Sequence, residues 1–289
     1  FLHLSDMHTQ LDTHWEYRPE DPQRLHRMGG FARIRTALDR ERASATGAGF
    51  TREGGDTLQC SAVAACSQGE AVVAQLKALG IDAGIPGNWE IVYGPARFRK
   101  LMSEVHYKVI CYNFHDQASG ARLFPPAVTL EKAGVRVAFV GVTDPTTTLR
   151  QSPAPVAGLD STRMSGLREF VQELKRREKP DLTVLLDHTG LTPSVQLAQE
   201  IPEFDIVLSG HTHERVYRPI RVGKTIVVEA GSMGSFLGRL DVTVAQGVIS
   251  EFHYNLIAID ENEFAEDPRV KALVEQAEPR MSGPEQQAW

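Results

Sequence analysis

The strongest constraint on this chain is a short, largely apolar run that ends in two closely spaced histidines. Residues 204–208 are typical of a buried β-strand, and Gly210 then breaks the strand. His211 and His213 follow at i and i+2, a spacing that projects both side chains to the same side of an extended backbone. Because neutral imidazole is a common ligand for transition metals, the pair predicts a metal site. Taken alone, however, the motif fits an ordinary polar loop better than a metal site.

Four further clusters of ligand-type residues follow predicted strands in the same way. They supply carboxylate, imidazole and amide side chains from Asp6 and His8, Asp56, Asn88, and His188. A glycine precedes both Asp56 and Asn88, which allows a tight turn and a close approach of the backbone. Ligands of parallel α/β sheets bind outside the carboxyl ends of the strands. We therefore expect all five clusters to converge at one edge of the fold.

The order of the predicted elements indicates the α/β class. Strands are predicted at 1–5, 50–53, 81–85, 108–112, 135–142, 182–186 and 204–208, and helices at 31–43, 71–79, 161–178 and 267–277. Such alternation is typical of a layered domain with a largely parallel sheet. After His213, residues 215–221, 225–228, 238–244 and 248–259 alternate or run apolar, which predicts antiparallel hairpins that form a second sheet.

Two stretches fit this scheme poorly. Residues 11–28 are mostly polar, and we expect a loop overhanging the first strand, with His14 and His26 exposed to solvent rather than bound to metal. Residues 50–53 should form a buried strand, yet Arg52 and Glu53 are charged, and burial of an unpaired charge is costly. The pattern of residues gives no physical account of this second stretch.

Composition excludes several classes of protein. The chain has 289 residues, of which 42% are hydrophobic and 24% charged, as is ordinary for a globular protein. Its net charge of −6 offers no basic surface for nucleic acid or an anionic membrane. No apolar run approaches the roughly 18 residues of a membrane span. Cys60, Cys66 and Cys111 follow no zinc-site spacing, so we expect free, buried thiols.

Taken in order, the ligand clusters resemble those of a known family. Asp6-x-His8, Gly55-Asp56, Gly87-Asn88, His188 and Gly210-His211-x-His213 occur with roughly the gaps of the calcineurin-like dinuclear metallophosphoesterases. The pattern is most similar to the N-terminal domain of the 5′-nucleotidase branch, which includes the Sox-type thiosulfohydrolases. The resemblance covers residues 1–259 and implies an α/β fold, a four-layered α/β/β/α metallophosphoesterase sandwich. Residues 260–289 would be a connector helix and tail, before a C-terminal substrate domain absent from this sequence.

The resemblance also implies a ligand set for two divalent metal ions. One metal would be held by Asp6, His8, Asp56 and His213, and the other by Asp56, Asn88, His188 and His211. Asp56 would bridge the two, which a carboxylate can do because both of its oxygens carry spare lone pairs. Oxygen and nitrogen ligands without thiolate suit Mn²⁺, our first expectation, and also Zn²⁺, iron, Co²⁺, Ni²⁺ or Mg²⁺. Two such metals polarise a phosphoryl group and generate a hydroxide nucleophile.

Trp89 departs from the pattern of most of the family. Most relatives have a histidine after the asparagine, which helps to protonate the leaving group, whereas Sox-type thiosulfohydrolases resemble this chain in having tryptophan there. An indole N–H donates a hydrogen bond but does not exchange a proton usefully. The catalytic acid therefore stays unassigned, with Asn88 and His188 as the nearest candidates. The alternative is that Trp89 only packs the wall of the site.

Three functions remain open from the sequence. The first is a metal-dependent, 5′-nucleotidase-like hydrolase of phosphate esters, whose partner would be a small-molecule phosphate ester or a nucleotide. The second is a Sox-type thiosulfohydrolase, supported by Trp89, and the third is a non-catalytic metal-binding domain. The family implies a periplasmic or extracellular location. Since the first residues already form a predicted strand, we expect that a leader has been cut away or left out of the sequence.

Overall fold

The computed structural model describes residues 1–18 and 20–277. The strands are β1 (Leu2–Leu4), β2 (His14–Arg18), β3 (Asp21–Met28), β4 (Thr51–Glu53), β5 (Ala83–Gly84), β6 (Lys108–Val109), β7 (His115–Asp116), β8 (Ala127–Lys132), β9 (Val135–Thr143), β10 (Leu159–Asp160), β11 (Leu182–His188), β12 (Ile206–Ser209), β13 (Ile220–Val222), β14 (Thr225–Glu229), β15 (Phe236–Ala245) and β16 (Val248–Ala258). The predicted unstructured tail beyond residue 277 lies outside the described residues.

The helices are α1 (Phe31–Ala43), α2 (Ala62–Ser67), α3 (Val73–Leu79), α4 (Pro95–Glu104), α5 (Thr147–Arg150), α6 (Leu167–Glu178), α7 (Leu191–Glu200) and α8 (Pro268–Ala277), and a 3₁₀ turn at Glu70–Val72 precedes α3. The predicted helix at 31–43 is confirmed. The helix predicted from residue 161 begins only at Leu167, because Ser161 hydrogen-bonds to Thr148 and Gly166 adopts a left-handed conformation. Within the described residues, no helix is both long and apolar enough to cross a membrane.

Two mixed sheets form the centre of the described fold. The first has the order β16-β15-β1-β4-β5-β6, and the second has the order β13-β14-β12-β11-β9-β8. In the first sheet β1, β4, β5 and β6 run parallel, and in the second sheet β9, β11, β12 and β14 do so. Parallel strands end at the same edge of a sheet, so the loops after β1, β4, β5, β11 and β12 are brought close together.

Helices cover the outer face of each sheet. Phe139 and Val228 belong to the apolar core between the two sheets. Phe31 of α1 and Val270 of α8 pack with the outer face of the first sheet. Val171 of α6 packs on the outer face of the second sheet. The order of layers is therefore helix, sheet, sheet, helix, which confirms the predicted α/β/β/α sandwich.

Residues 11–28 do not form the predicted loop. β2 and β3 pair as an antiparallel hairpin, with Trp15 opposite Arg27 and Tyr17 opposite Leu25. These cross-strand pairs stabilise the ladder although the stretch is polar overall. The histidines of the hairpin do not point freely into solvent, since His14 Nε2 lies 3.0 Å from a serine hydroxyl, that of Ser235.

The C-terminal hairpins form, but they do not build the second sheet by themselves, so that part of the prediction is wrong. β14 lies parallel to β12, with Ile226 opposite Ile206, whereas β15 pairs with β1 in the other sheet. The chain crosses between the sheets after β14. In this crossover the Met233 N–H donates to the Asp6 carbonyl at 2.7 Å, beside the first ligand cluster.

The expectation of three buried thiols is also wrong for two of them. All three cysteines are free, but only Cys111 is buried, whereas Cys60 and Cys66 are exposed. Cys66 lies on α2, a short helix of which only Ala64 is buried. Burial raises the pKa of the Cys111 thiol to about 11, so it stays protonated and packs as a small apolar group.

The structure explains the two charged residues in β4. Arg52 is fully buried, with its guanidinium 3.6 Å from the centre of the Phe139 ring and Nη1 donating to the Thr51 carbonyl at 2.9 Å. Its neighbour Glu53 points towards the ligand loops and accepts hydrogen bonds from the Gly55 N–H and the Thr57 hydroxyl, each at 2.7 Å. Burial lowers the pKa of Arg52 to about 9 and raises that of Glu53 to about 8.

We predict that Arg52→Met leaves stability unchanged or raises it by about 1–4 kcal/mol. Nε and Nη2 of Arg52 are buried without hydrogen-bond partners, and the Asp82 carboxylate lies 3.6 Å from Nη1, so the buried charge is only partly compensated, whereas methionine keeps most of the packing volume. Arg52→Ala should instead cost about 2–5 kcal/mol, because it leaves a cavity. Urea denaturation of the three proteins gives the free energies of unfolding. A loss in the Met variant equal to that in the Ala variant would show that the charge itself stabilises the core.

Candidate metal centre

The structure brings the candidate ligands together at the carboxyl ends of the parallel strands. Asp6, His8 and His213 form one group, and Asp56, His188 and His211 form a second, with the ligand atoms of each group within 4.8 Å of one another. Asn88 lies beside the second group, because its Oδ1 is 3.2 Å from His188 Nε2. His14 and His26 belong to neither group.

The sequence led us to expect that strand alternation would bring together the two members of each His-x-His or Asp-x-His pair. The structure does not use strand alternation for this purpose. β1 ends at Leu4 and β12 at Ser209, before the ligands begin. Instead, left-handed backbone places five of the seven candidates, namely Asp6, His8, Asp56, His211 and His213. Such φ values cost of order 1–3 kcal/mol each for residues other than glycine, and they concentrate at functional sites.

Asp6 is the centre of the first group. Its Oδ1 lies 3.4 Å from His213 Nε2 and 3.9 Å from the Nε2 atoms of both His8 and His188. This oxygen is buried and has no hydrogen-bond partner. Oδ2 is fully occupied, because it accepts hydrogen bonds from the Ser5 hydroxyl and from the His211 N–H. A buried carboxylate oxygen facing three ring nitrogens is the environment that a divalent cation would satisfy.

His188 links the second ligand group to the loop that follows β4. Its Nδ1 donates to the Gly54 carbonyl at 2.6 Å, which directs Nε2 towards the site. Nε2 then lies 3.1 Å from Asp56 Oδ2. Either a proton or a metal ion must lie between this nitrogen and the surrounding oxygens, since all of them carry lone pairs. The donor set of carboxylates, imidazoles and one amide fits a borderline divalent metal.

The electrostatics of the site divide the imidazoles into two kinds. Burial lowers the pKa of His8 and of His211, so both stay neutral at neutral pH. The Asp6 carboxylate, whose Oδ1 lies 3.4 Å from His213 Nε2, raises the pKa of His213. Burial by itself would lower the pKa of His188, but the attraction of Asp56 and Asp6 outweighs it and raises that pKa well above the usual range. Two of the four rings therefore favour a proton in the absence of a cation.

Buried carboxylates that the sequence did not single out hold the ligand loops from below. Glu90 accepts main-chain N–H groups around Asp56, and Glu229 accepts the Glu214 N–H at 2.8 Å beside the histidine loop. Asp187 accepts from the Ser194 hydroxyl at 2.6 Å. For Glu90 and Asp187 the available signal was a charged residue beside a ligand cluster, but ordinary solvated residues show the same pattern, and Glu229 lies on a later strand with no such signal.

Trp89 contacts the site through its main chain. Its side chain is 37% exposed. Its main-chain N–H donates to Asp56 Oδ1 at 2.8 Å, so the backbone of this residue orients a candidate ligand whatever the side chain does.

Next to His211, a cavity of about 340 Å³ is lined by both apolar and polar side chains, including Met164, Gln196 and Arg150.

Comparison with protein families gives one match that covers most of the chain. The model of the calcineurin-like phosphoesterase family matches residues 1–215. Among curated proteins, a 5′-nucleotidase of Vibrio cholerae is 26% identical over 292 residues, which cover 90% of this chain and 51% of that protein. The chain thus spans about half the length of this relative.

Two solved structures share the fold. A sulfate thiohydrolase SoxB of Thermus thermophilus aligns with a TM-score of 0.88 and 22% identity, covering 99% of this chain and 60% of that one. A 5′-nucleotidase precursor of Thermus thermophilus aligns with a TM-score of 0.85 and 21% identity, covering 97% of this chain and 58% of that one. Both similarities concern the arrangement of the backbone.

We predict that Mn²⁺ binding near neutral pH releases protons. The raised pKa values of His188 and His213 keep these rings protonated in the metal-free protein at any pH below those values, and a ring nitrogen must lose its proton to bind a metal. As the pH rises through the pKa values of His188 and His213, the number of protons released per bound Mn²⁺ should therefore fall and the affinity for Mn²⁺ should rise. Calorimetry in buffers of different ionisation enthalpy measures both. An affinity independent of pH between about 5 and 8 would contradict the prediction.

Proposed function

The chain belongs to the calcineurin-like phosphoesterase family, and on that premise we propose that it hydrolyses phosphate esters of the 5′-nucleotide type with two divalent cations. The observation that carries the proposal is the pair of ligand groups, which face each other through Asp6 Oδ1 and His188 Nε2 at 3.9 Å. With two divalent cations bound, a site of this kind would polarise the phosphoryl group of the substrate and generate a hydroxide nucleophile from water.

In this proposal each group holds one cation, and Asp56 belongs to both. Asp6, His8, Asp56 and His213 would bind the first, and Asp56, Asn88, His188 and His211 the second. Two facts support the shared role of Asp56. Its Oδ2 is 3.1 Å from His188 Nε2 of the second group, and its charge acts on both histidines of the first, opposing the lowering of the His8 pKa by burial and adding to the effect of Asp6 that raises the His213 pKa. We propose Mn²⁺ as the metal, because the donors are oxygen and nitrogen without thiolate.

The remaining parts of the proposal concern the chain as a whole. Residues 1–259 would be the phosphoesterase domain and residues 260–289 a connector towards a further domain, although α8 packs closely on α1 and α3 through Val270 and Val274. The substrate would be a nucleotide or another small phosphate ester, as the names of the curated relatives suggest. We propose a periplasmic or extracellular location, because one of the similar structures is that of a 5′-nucleotidase precursor.

Trp89 favours a second candidate function, a Sox-type thiosulfohydrolase. A phosphate ester with a poor leaving group needs a proton donor, and the indole N–H of Trp89 does not transfer its proton at neutral pH. A thiosulfonate has a less basic leaving group and would need this donor less. The exposed indole at the edge of the site would then contact the substrate rather than take part in proton transfer.

Asp56→Asn is expected to abolish hydrolysis and to empty at least one metal position. The amide keeps the size of the side chain but loses its charge and one of the two oxygens that a bridging ligand needs. The fold should remain, because the loop around Asp56 is held by hydrogen bonds from its main-chain N–H groups to the Glu90 carboxylate, which the substitution leaves in place. Metal content by mass spectrometry and turnover of an aryl phosphate are the measurements. Two tightly bound metals per chain with activity retained would rule out the bridging role.

Trp89→His is predicted to raise kcat/KM for a nucleoside monophosphate selectively, by about tenfold or more. A positioned general acid is worth about 10²–10⁴-fold, and an imperfectly placed imidazole should recover part of this. An aryl phosphate should change little, because its leaving group needs no proton. The partial exposure of the indole keeps the cost in stability small.

The same pair of proteins separates the two candidate functions when a thiosulfonate is added to the panel. A phosphoesterase should show the selective gain on the nucleotide. No gain on the nucleotide, together with a loss on the thiosulfonate, would replace the phosphoesterase proposal by the thiosulfohydrolase.

A further inference from the structure

Glu90 lies beneath the candidate metal centre and contacts two ligand loops at once. Its side chain is 2% exposed. Oε1 accepts the N–H groups of Thr57 at 2.7 Å and Leu58 at 3.1 Å, and Oε2 accepts those of Asp56 at 3.0 Å and Gly87 at 2.8 Å. One carboxylate therefore satisfies four main-chain donors that come from the loop after β4 and the loop after β5.

These four contacts determine where the Asp56 side chain points. Asp56 has a φ of +55°, so its backbone is strained and needs outside support to stay in this conformation. Glu90 supplies that support by accepting three successive N–H groups, those of Asp56, Thr57 and Leu58. The Trp89 N–H then fixes the carboxylate itself through Asp56 Oδ1. Without the Glu90 acceptor, several buried donors would be left unsatisfied.

We propose that Glu90 is a positioning residue that fixes Asp56 for metal binding, an inference that rests on the proposed function. Glu90 does not itself face the cations, since both of its oxygens are taken up by main-chain donors. Its effect is exerted through the loop 55–58, and it keeps the loop that carries Gly87 and Asn88 at a constant distance from Asp56.

Glu229 provides a matched control on the other side of the site. It is also fully buried, and it holds the histidine loop. Its partners are mostly hydroxyls, however, with Ser209 Oγ at 2.7 Å and Thr212 Oγ1 at 3.0 Å, and one main-chain N–H, that of Glu214 at 2.8 Å. A hydroxyl can reverse its hydrogen bond to become an acceptor, whereas a main-chain N–H cannot.

The substitution of glutamine for each glutamate turns this difference into an experiment. In Glu90→Gln one oxygen becomes an NH₂ group, and in either orientation two main-chain N–H groups face a donor. In Glu229→Gln the amide oxygen can take the Glu214 N–H while the hydroxyls adjust to the NH₂ group. Loss of a group that supports a ligand typically weakens metal binding by about 10–100-fold. We expect that loss for Glu90→Gln and a smaller loss for Glu229→Gln, which keeps an acceptor for the Glu214 N–H of the histidine loop.

The test is a titration of the metal-free proteins with Mn²⁺, followed calorimetrically and by electron paramagnetic resonance. Wild type should bind two ions per chain and give the exchange-coupled spectrum of a bridged Mn²⁺ pair. Glu90→Gln should bind at least tenfold more weakly and show the spectrum of isolated ions, with an unchanged circular dichroism spectrum. The unchanged circular dichroism spectrum is needed as a control, because unfolding would also abolish the exchange coupling.

The outcomes separate this inference from the function on which it rests. Two ions bound by Glu90→Gln with wild-type affinity and wild-type coupling would overturn the role of Glu90 and leave the proposed function intact. If wild type itself bound no Mn²⁺, both would fall. Should Glu90→Gln not fold, Glu90→Asp takes its place, because it keeps the charge but is one methylene shorter. Unchanged Mn²⁺ affinity and coupling in Glu90→Asp would then overturn the inference.

Discussion

The site depends on the close approach of two loops that meet at glycine residues. A side chain on Gly55 would bring a carbon atom to 2.7 Å from the Gly87 nitrogen and 2.8 Å from His188 Nδ1. A side chain on Gly87 would overlap the carboxylate of Asp56. Because both positions lack a Cβ, the loops after β4 and β5 pack backbone to backbone, and His188 reaches the Gly54 carbonyl. The spacing of the second ligand group follows from this contact.

The second constraint is the burial of several carboxylates around the site. Main-chain N–H groups supply many of the hydrogen bonds that compensate for it. Glu53 and Glu90 accept N–H groups from the loop that carries Asp56, and Glu229 accepts one from the histidine loop. Each carboxylate is thus satisfied by the loop that it holds in place. Asp6 differs, since its Oδ1 is buried without a hydrogen-bond partner and faces the Nε2 atoms of His8, His188 and His213. This unsatisfied oxygen is the reason to place a cation there rather than to regard the cluster as an ordinary polar network.

The sequence was sufficient for the layered fold and for the convergence of the ligand clusters, because both follow from strand order. The rule that parallel strands end at one edge needs no knowledge of side-chain contacts. The sequence was insufficient where tertiary contacts determine the local conformation. The left-handed backbone of Asp6 and Asp56 and the burial of Arg52 on Phe139 depend on residues far away in the chain. Glu90 was missed for the same reason, since its partners are main-chain groups. The hairpin at 14–28 was missed for a different reason, because its polar residues do not show the apolar alternation of a strand.

The central claim is that two cations occupy the paired ligand groups with Asp56 between them. The most direct measurement is a crystal structure of the protein soaked in Mn²⁺, with diffraction data collected at the manganese absorption edge. The account predicts two anomalous peaks about 3.5–4 Å apart, one next to Asp6, His8 and His213 and the other next to Asn88, His188 and His211. A single peak, or two peaks without Asp56 in contact with both, would contradict it.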